Sequence, residues 1–161
     1  KSGIDVIGVG KIGDIFAHRW LSRNIKADGN EALFDCTLAA LREAKSNTLI
    51  MTNFVDFDML YGHRRDIIGY ANALEALDAR LPELLNELNE NDLLIVTADH
   101  GCDPSWHGSD HTREFVPFLM KCANQTPTEL GRRDSFSDIG QSVANFLQLT
   151  PLKYGRSVFS T

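Results

Sequence analysis

Two short apolar runs, each ending in a carboxylate and an imidazole, limit what this chain can fold into. The first is Leu93-Leu94-Ile95-Val96, which breaks at Thr97-Ala98-Asp99-His100-Gly101. A continuous apolar run without polar alternation reads as a strand covered on both faces, as in a parallel sheet packed between helices. The second run covers residues 48–54 (TLIMTNF) and leads to Asp56, Asp58 and His63. A third strand is expected at residues 4–9 (IDVIGV), running into the turn Gly10-Lys11-Ile12-Gly13. In open α/β sheets ligands bind beyond the carboxyl ends of the strands, so acids and histidines at those ends stand where chemistry is done.

Helical patterns fill the intervals. Asp28 is expected to cap a helix over residues 28–44, with Leu33, Thr37, Leu38 and Leu41 on one face. Residues 67–88 carry Tyr70, Leu74, Leu77, Leu81, Leu84, Leu85 and Leu88 as one apolar stripe, with Glu75, Asp78, Arg80, Glu83 and Glu87 off it. A short helix is expected over residues 15–21, followed by a polar loop over 24–30. A last helix, capped by Ser135 or Ser137, presents Ile139, Val143, Phe146 and Leu147. Strand and helix therefore alternate, which gives an α/β fold: a mostly parallel sheet covered by helices. Residues 4–9, 49–54 and 93–97 are its expected central strands, with Asp58 and Asp99 at the same edge.

Composition removes several function classes. With 161 residues, 43% hydrophobic and 24% charged, the chain can bury one core. A net charge of -6 argues against a nucleic-acid or anionic-membrane surface and leaves room only for a local basic pocket that takes a small phosphate ester. No stretch approaches the roughly 20 apolar residues of a membrane span. Cys36, Cys102 and Cys122 are odd in number and lack CxxC spacing, which fits reduced thiols in the cytoplasm. The chain opens on Lys1 rather than Met, as a piece of a longer polypeptide would.

Asp58, His63, Asp99, His100 and His111 form the metal-ligating constellation. Asp58 and His63 are five positions apart, which on an α-helix is a separation of roughly 140° around the axis. Sharing an ion then asks for a loop, and Tyr61-Gly62 permits one. Asp99 and His100 face opposite sides of an extended strand unless the backbone turns, as Gly101 allows. Five ligands exceed one tetrahedral ion and suit two neighbouring sites of mixed carboxylate and imidazole, an arrangement matched to phosphoryl transfer. Lys11 reads either as a phosphate contact or as a solvated turn lysine. Asp56 and Asp66 are outer acceptors or plain loop acids, and Arg64 and Arg65 grip phosphate or pair with those acids. His107, with Ser105 and Trp106, edges the pocket or lies in a surface loop. Cys102 reads as a spectator.

At these residues the sequence resembles the phosphopentomutases, a family of the alkaline phosphatase superfamily. The carriers are Thr97-Ala98-Asp99-His100-Gly101, the stretch NFVDFDMLYGHRRD over residues 53–66, and Gly108-Ser109-Asp110-His111-Thr112-Arg113-Glu114. The likeness runs from residue 6 to about residue 159. Cofactor-independent phosphoglycerate mutases share the first motif but have a shorter Asp-to-His spacing, so the insertion of Tyr61 favours the pentomutases.

The resemblance implies a partial alkaline phosphatase-like core. It implies reversible transfer of phosphate between C1 and C5 of ribose or deoxyribose, with two manganese ions and a phosphorylated threonine. By motif, Asp58, His63 and His111 would hold one ion, and Asp99 with His100 the other. Lys11, Arg64 and Arg113 are the expected substrate contacts. The family's nucleophilic threonine, a further metal-binding aspartate and a cap domain lie before the region matched here. Residues 1–161 are accordingly expected to be the C-terminal portion of the catalytic core, inactive without the N-terminal part of the same polypeptide. The rival activities are another phosphohydrolase of the superfamily and a phosphoglycerate mutase. A noncatalytic metal-binding module is the rival of another class.

Overall fold

Strand β1 (Asp5–Val9) is the centre of a three-stranded parallel sheet, flanked by β2 (Arg23–Ile25) and β3 (Thr48–Thr52). The computed structural model describes residues 3–122 and 126–159. Val9 pairs with Ile25 on one side and Thr52 on the other, which brings the ends of all three strands to one level. β2 falls where the sequence suggests only polar loop, because two of its three residues are polar and the run is too short to show a period. It occupies the second edge of β1. Leu93–Thr97 does form a strand, β4, but it pairs with β5 (Phe118–Cys122) in a separate two-stranded sheet instead of joining the first as a central strand.

The segment after β1 departs from expectation. Helix α1 covers only Ile12–Ile15, and no helix spans residues 15–21. Ala17, His18 and Trp20 take left-handed φ angles of 50°, 57° and 62°, which a right-handed helix cannot contain.

Helix α2 (Asn30–Glu43) buries Leu33, Phe34, Thr37, Leu38 and Ala40. Ile7, Val9, Leu33 and Ala40 form the core of the sheet-and-helix layer, packed round by Ile25, Ile50, Phe54 and Val55. Each large side chain removed from water contributes roughly 1.5–3 kcal/mol before entropy is subtracted. Asp28 does not cap α2. The residue before the helix is Gly29, and the acceptor comes from much later in the chain: Asp56 Oδ2 takes the Asn30 N–H at 2.7 Å, while Asn30 Oδ1 takes the Asp56 N–H at 3.3 Å. Asp56 is thus a structural acid that ties the start of α2 to the exit of β3.

Helix α3 (Ile67–Glu87) is capped by Asp66, whose Oδ1 accepts from Gly69 N at 2.8 Å. Its Arg80 reaches Glu31 at 2.8 Å and Asp35 at 2.7 Å on α2, and its guanidinium lies 4.3 Å from the Phe34 ring centre. The expected stripe is only partly covered: Leu84 is buried, whereas Leu74 and Leu85 are exposed.

By contacts the chain divides into a larger unit, Gly3–Asn89 with Ile95–Met120, and a smaller one, Glu90–Leu94 with the described residues from 121 onward. In the smaller unit helix α4 (Ser137–Phe146) begins where Ser135 Oγ accepts from Ser137 N at 3.2 Å. Its most buried positions are Asp138, Gln141, Ser142 and Ala144, not the apolar face alone. The reason is the tail. Residues 152–158 have no strand to pair with, so their N–H groups need side-chain acceptors. Gln141 Oε1 takes Leu152 N at 2.8 Å, Asp138 Oδ1 takes Arg156 N at 2.8 Å, and Ser142 Oγ takes Val158 N at 3.0 Å. Among the described residues no helix is long and apolar enough to cross a membrane.

Candidate metal centre

The chain leaving β3 does not become a loop. Residues Phe57–Gly62 wind as a π-helical turn, and His63 N donates to Asp58 O at 2.9 Å, an i→i+5 bond. Such wider turns occur mostly as single-turn insertions, frequently at functional sites. The wider turn brings side chains five positions apart onto one side, so His63 Nε2 stands 3.3 Å from Asp58 Oδ2. The α-helical estimate of their separation fails because the period is wrong. Gly62 makes the turn possible: a Cβ there would strike Cys102 Sγ and come within 3.0 Å of Phe57 O.

The other two segments that carry candidate ligands are pinned to each other. Gly101 and Thr112 form an isolated antiparallel bridge, with Thr112 N donating to Gly101 O at 3.2 Å. A Cβ at Gly101 would lie 2.6 Å from Glu114 N and 3.0 Å from Thr112 O, so glycine sets how closely the strands approach. His100 and His111 flank this bridge, and their rings stack with centres 3.8 Å apart. The His63 and His111 ring centres are 4.8 Å apart.

Asp58, His100 and His111 each offer a ligand atom within 4.8 Å of the others. His111 Nε2 is 3.3 Å from Asp58 Oδ1, on the opposite oxygen from His63. Asp58 Oδ1 is nevertheless buried and accepts no hydrogen bond. An unsatisfied buried acceptor costs about 1–3 kcal/mol, and such groups in native folds call for an explanation such as an ion. The imidazoles are presented accordingly. His63 Nδ1 meets the carbonyl of Ser109, and His100 Nδ1 meets that of Gly101 at 3.1 Å. A carbonyl only accepts, so Nδ1 donates in both rings and Nε2 is the nitrogen turned toward the carboxylates. Asp99 is less engaged: its side chain is 71% exposed and Oδ1 lies 3.7 Å from His100 Nε2. A buried carboxylate oxygen without a hydrogen bond, with imidazole nitrogens close by, fits a divalent metal ion.

Neighbouring groups sort out differently from the alternatives open in sequence. Cys102 is half-buried, and its thiol is pushed above its ordinary value first by burial and then by the charge of Asp58. The Tyr70 hydroxyl is likewise raised by burial first, then by the charges of Cys102 and Asp58. Arg65 neither pairs with Asp56 or Asp66 nor faces solvent freely; its guanidinium is spent on backbone carbonyls. Arg64 and Arg113 are exposed. Lys11 is also exposed, and its Nζ donates to the thioether of Met59 at 2.8 Å, a weak acceptor that an anion would displace. Trp106 is exposed and packs on His107, with ring centres 4.7 Å apart. The carbonyl of Ser109 went unread in sequence, because a main-chain acceptor leaves no residue-type signal.

Known proteins match this chain closely. A model of the Metalloenzyme superfamily matches residues 20–151. A phosphopentomutase from a Shewanella species (strain MR-7) is 57% identical over 156 residues, 97% of this chain and 39% of the relative. The phosphopentomutase of Shewanella oneidensis is 58% identical over 156 residues, and that of Shewanella loihica 57% over 157. The chain spans 39% of the length of each of these curated relatives.

Proposed function

Because this chain belongs to the Metalloenzyme superfamily, we propose that it is the metal-holding part of a phosphopentomutase, which interconverts ribose or deoxyribose 1-phosphate and 5-phosphate in the cytoplasm. The observation that carries the proposal is Asp58 Oδ1, buried, without a hydrogen bond, and faced by imidazole nitrogens. Asp58, His63 and His111 hold one divalent ion in this reading, and Asp99 with His100 the second, manganese in both. Paired divalent ions beside a phosphate activate the attacking group and neutralise charge on the transferred oxygens.

The chain's own residues do the holding and orienting. Ser109 O and Gly101 O fix which ring nitrogen of His63 and His100 faces inward. Lys11, Arg64 and Arg113, all exposed, supply positive charge for the sugar phosphate. On the family resemblance, the phosphate-accepting threonine is assigned to the N-terminal part of the polypeptide. Of this chain's threonines, Thr112 beside His111 donates its Oγ1 to Glu114 Oε2 at 2.5 Å, and Thr97 at the end of β4 donates to Ala98 O at 3.4 Å. The chain by itself is therefore expected to have no mutase activity.

The test is to assay the full-length protein, with manganese, on ribose 1-phosphate, 3-phosphoglycerate and a simple aryl phosphate. Ribose 5-phosphate as the sole substantial product supports the proposal. Preferential turnover of either other substrate, or manganese bound with no turnover at all, contradicts it.

A further inference from the structure

Arg65 is the most heavily used side chain near the centre, and nothing in the ligand set accounts for it. Its backbone is left-handed, with φ of 56°, a conformation that residues with side chains seldom adopt. Its guanidinium makes four hydrogen bonds, all to main-chain carbonyls. Nε donates to Gly108 O at 2.5 Å, one terminal nitrogen to Asp110 O at 2.5 Å, and the other to Asp103 O at 2.8 Å and Gly62 O at 3.2 Å. Gly108 and Asp110 flank Ser109, whose carbonyl accepts from His63 Nδ1. Gly62 is the last residue of the π-helical turn, and Asp110 precedes His111.

We propose that Arg65 is the positioning residue of this centre: its guanidinium fixes the 103–110 loop so that Ser109 aims His63 and the chain delivers His111 to Asp58. The proposal rests on the metal reading above and adds to it a residue that touches neither ion nor substrate. The planar fork matters as much as the charge. Several carbonyls lie in one guanidinium's reach because its donors point in fixed directions, whereas an ammonium has three donors on a flexible stem. The rest of the loop is built to accept that grip. Asp103 Oδ1 takes both Ser105 N at 2.8 Å and Ser105 Oγ at 2.6 Å, and Asp103 N donates to Thr112 Oγ1 at 2.6 Å, beside His111. Arg64, next in sequence, is exposed, so of the two arginines it is Arg64 that remains open to an anion.

The experiment titrates manganese into the full-length protein, with free ion followed by electron paramagnetic resonance, for the unsubstituted protein and for Arg65→Lys, Arg64→Ala and Gly108→Ala. Arg65→Lys should weaken manganese binding about 10–100-fold, the range found when an outer partner of a metal ligand is lost. Its turnover should recover at saturating manganese, with KM for the sugar phosphate unchanged. Arg64→Ala should bind manganese normally. Gly108→Ala strains a residue at φ of 77° whose Cβ meets nothing within 4 Å, so it disturbs the loop without touching the core; a smaller loss in the same direction is expected, and it serves as the test if Arg65→Lys does not fold. Unchanged affinity in the folded variant, or a raised KM that manganese does not correct, would overturn the proposal. Failure of the unsubstituted protein to bind manganese would instead remove the metal reading and this inference with it.

Discussion

Asp138 and Asp58 are both aspartates drawn inside their units, yet they end in opposite electrostatic conditions. Asp138 is 6% exposed, and both of its oxygens are used: Oδ1 by Arg156 N and Oδ2 by Arg133 Nε, each at 2.8 Å. Its carboxyl is held below the ordinary value, most strongly by the Arg156 N–H and then, against the opposing effect of burial, by Arg133. Asp58 has a buried oxygen that accepts no hydrogen bond, with the His111 imidazole nitrogen 3.3 Å away. A carboxylate with each oxygen hydrogen-bonded holds structure together; a buried oxygen without a hydrogen bond past a strand exit has room for a cation.

That contrast predicts a double dissociation. Asp58→Asn should weaken manganese binding by more than the roughly 10–100-fold typical of losing an outer partner, while leaving the melting temperature of the metal-free protein unchanged or raised. A cooperative loss of stability in the metal-free state would erase the distinction. Gly62→Ala should come next. Its methyl group meets both Cys102 Sγ and the Phe57 carbonyl, so a cost of about 3 kcal/mol, at the upper end for overpacking, is expected in denaturant unfolding, together with weaker metal binding.

Asp138→Asn should cost about 2 kcal/mol, the scale of hydrogen bonds to a charged group, and leave manganese affinity as it was. The same residue gives a pH signature. A depressed folded value means that its contribution is fully present above the ordinary carboxylate value near 3.9 and is lost as pH falls through the lower folded value. Protection of the Arg156 N–H from hydrogen exchange, relative to the intrinsic rate at each pH, should therefore fall in acid below about pH 4, and Asp138→Asn should remove that dependence. The smallest effect belongs to Asp99→Ala. With Asp99 largely in solvent, the first manganese should bind as before and only a second, weaker equivalent should disappear.

The acids and histidines at the ends of apolar runs were legible because a buried strand must stop and the segment after it must carry polar groups; Asp58, His100 and His111 converge from such segments. The parallel sheet and its helices were legible for the same reason, in the runs that became β1, β3, α2 and α3. What sequence could not carry was geometry set by main chain. The π-helical turn hides from any argument that assumes 3.6 residues per turn. Asp28 has the right residue type for a cap, but Asp56 takes that role from 26 positions away, which no local pattern encodes. β2 was too short and polar to register. Arg65 looked like a phosphate or carboxylate partner because charge is what its name displays, and carbonyl acceptors display nothing.

The central claim, that Asp58 is a metal ligand and not a structural acid, is tested most directly by crystals of the full-length protein soaked in manganese and measured on both sides of the manganese absorption edge. An anomalous peak bonded to Asp58, with His63 and His111 as nitrogen ligands, is the predicted result. No peak at Asp58, with manganese bound elsewhere or not at all, would contradict it.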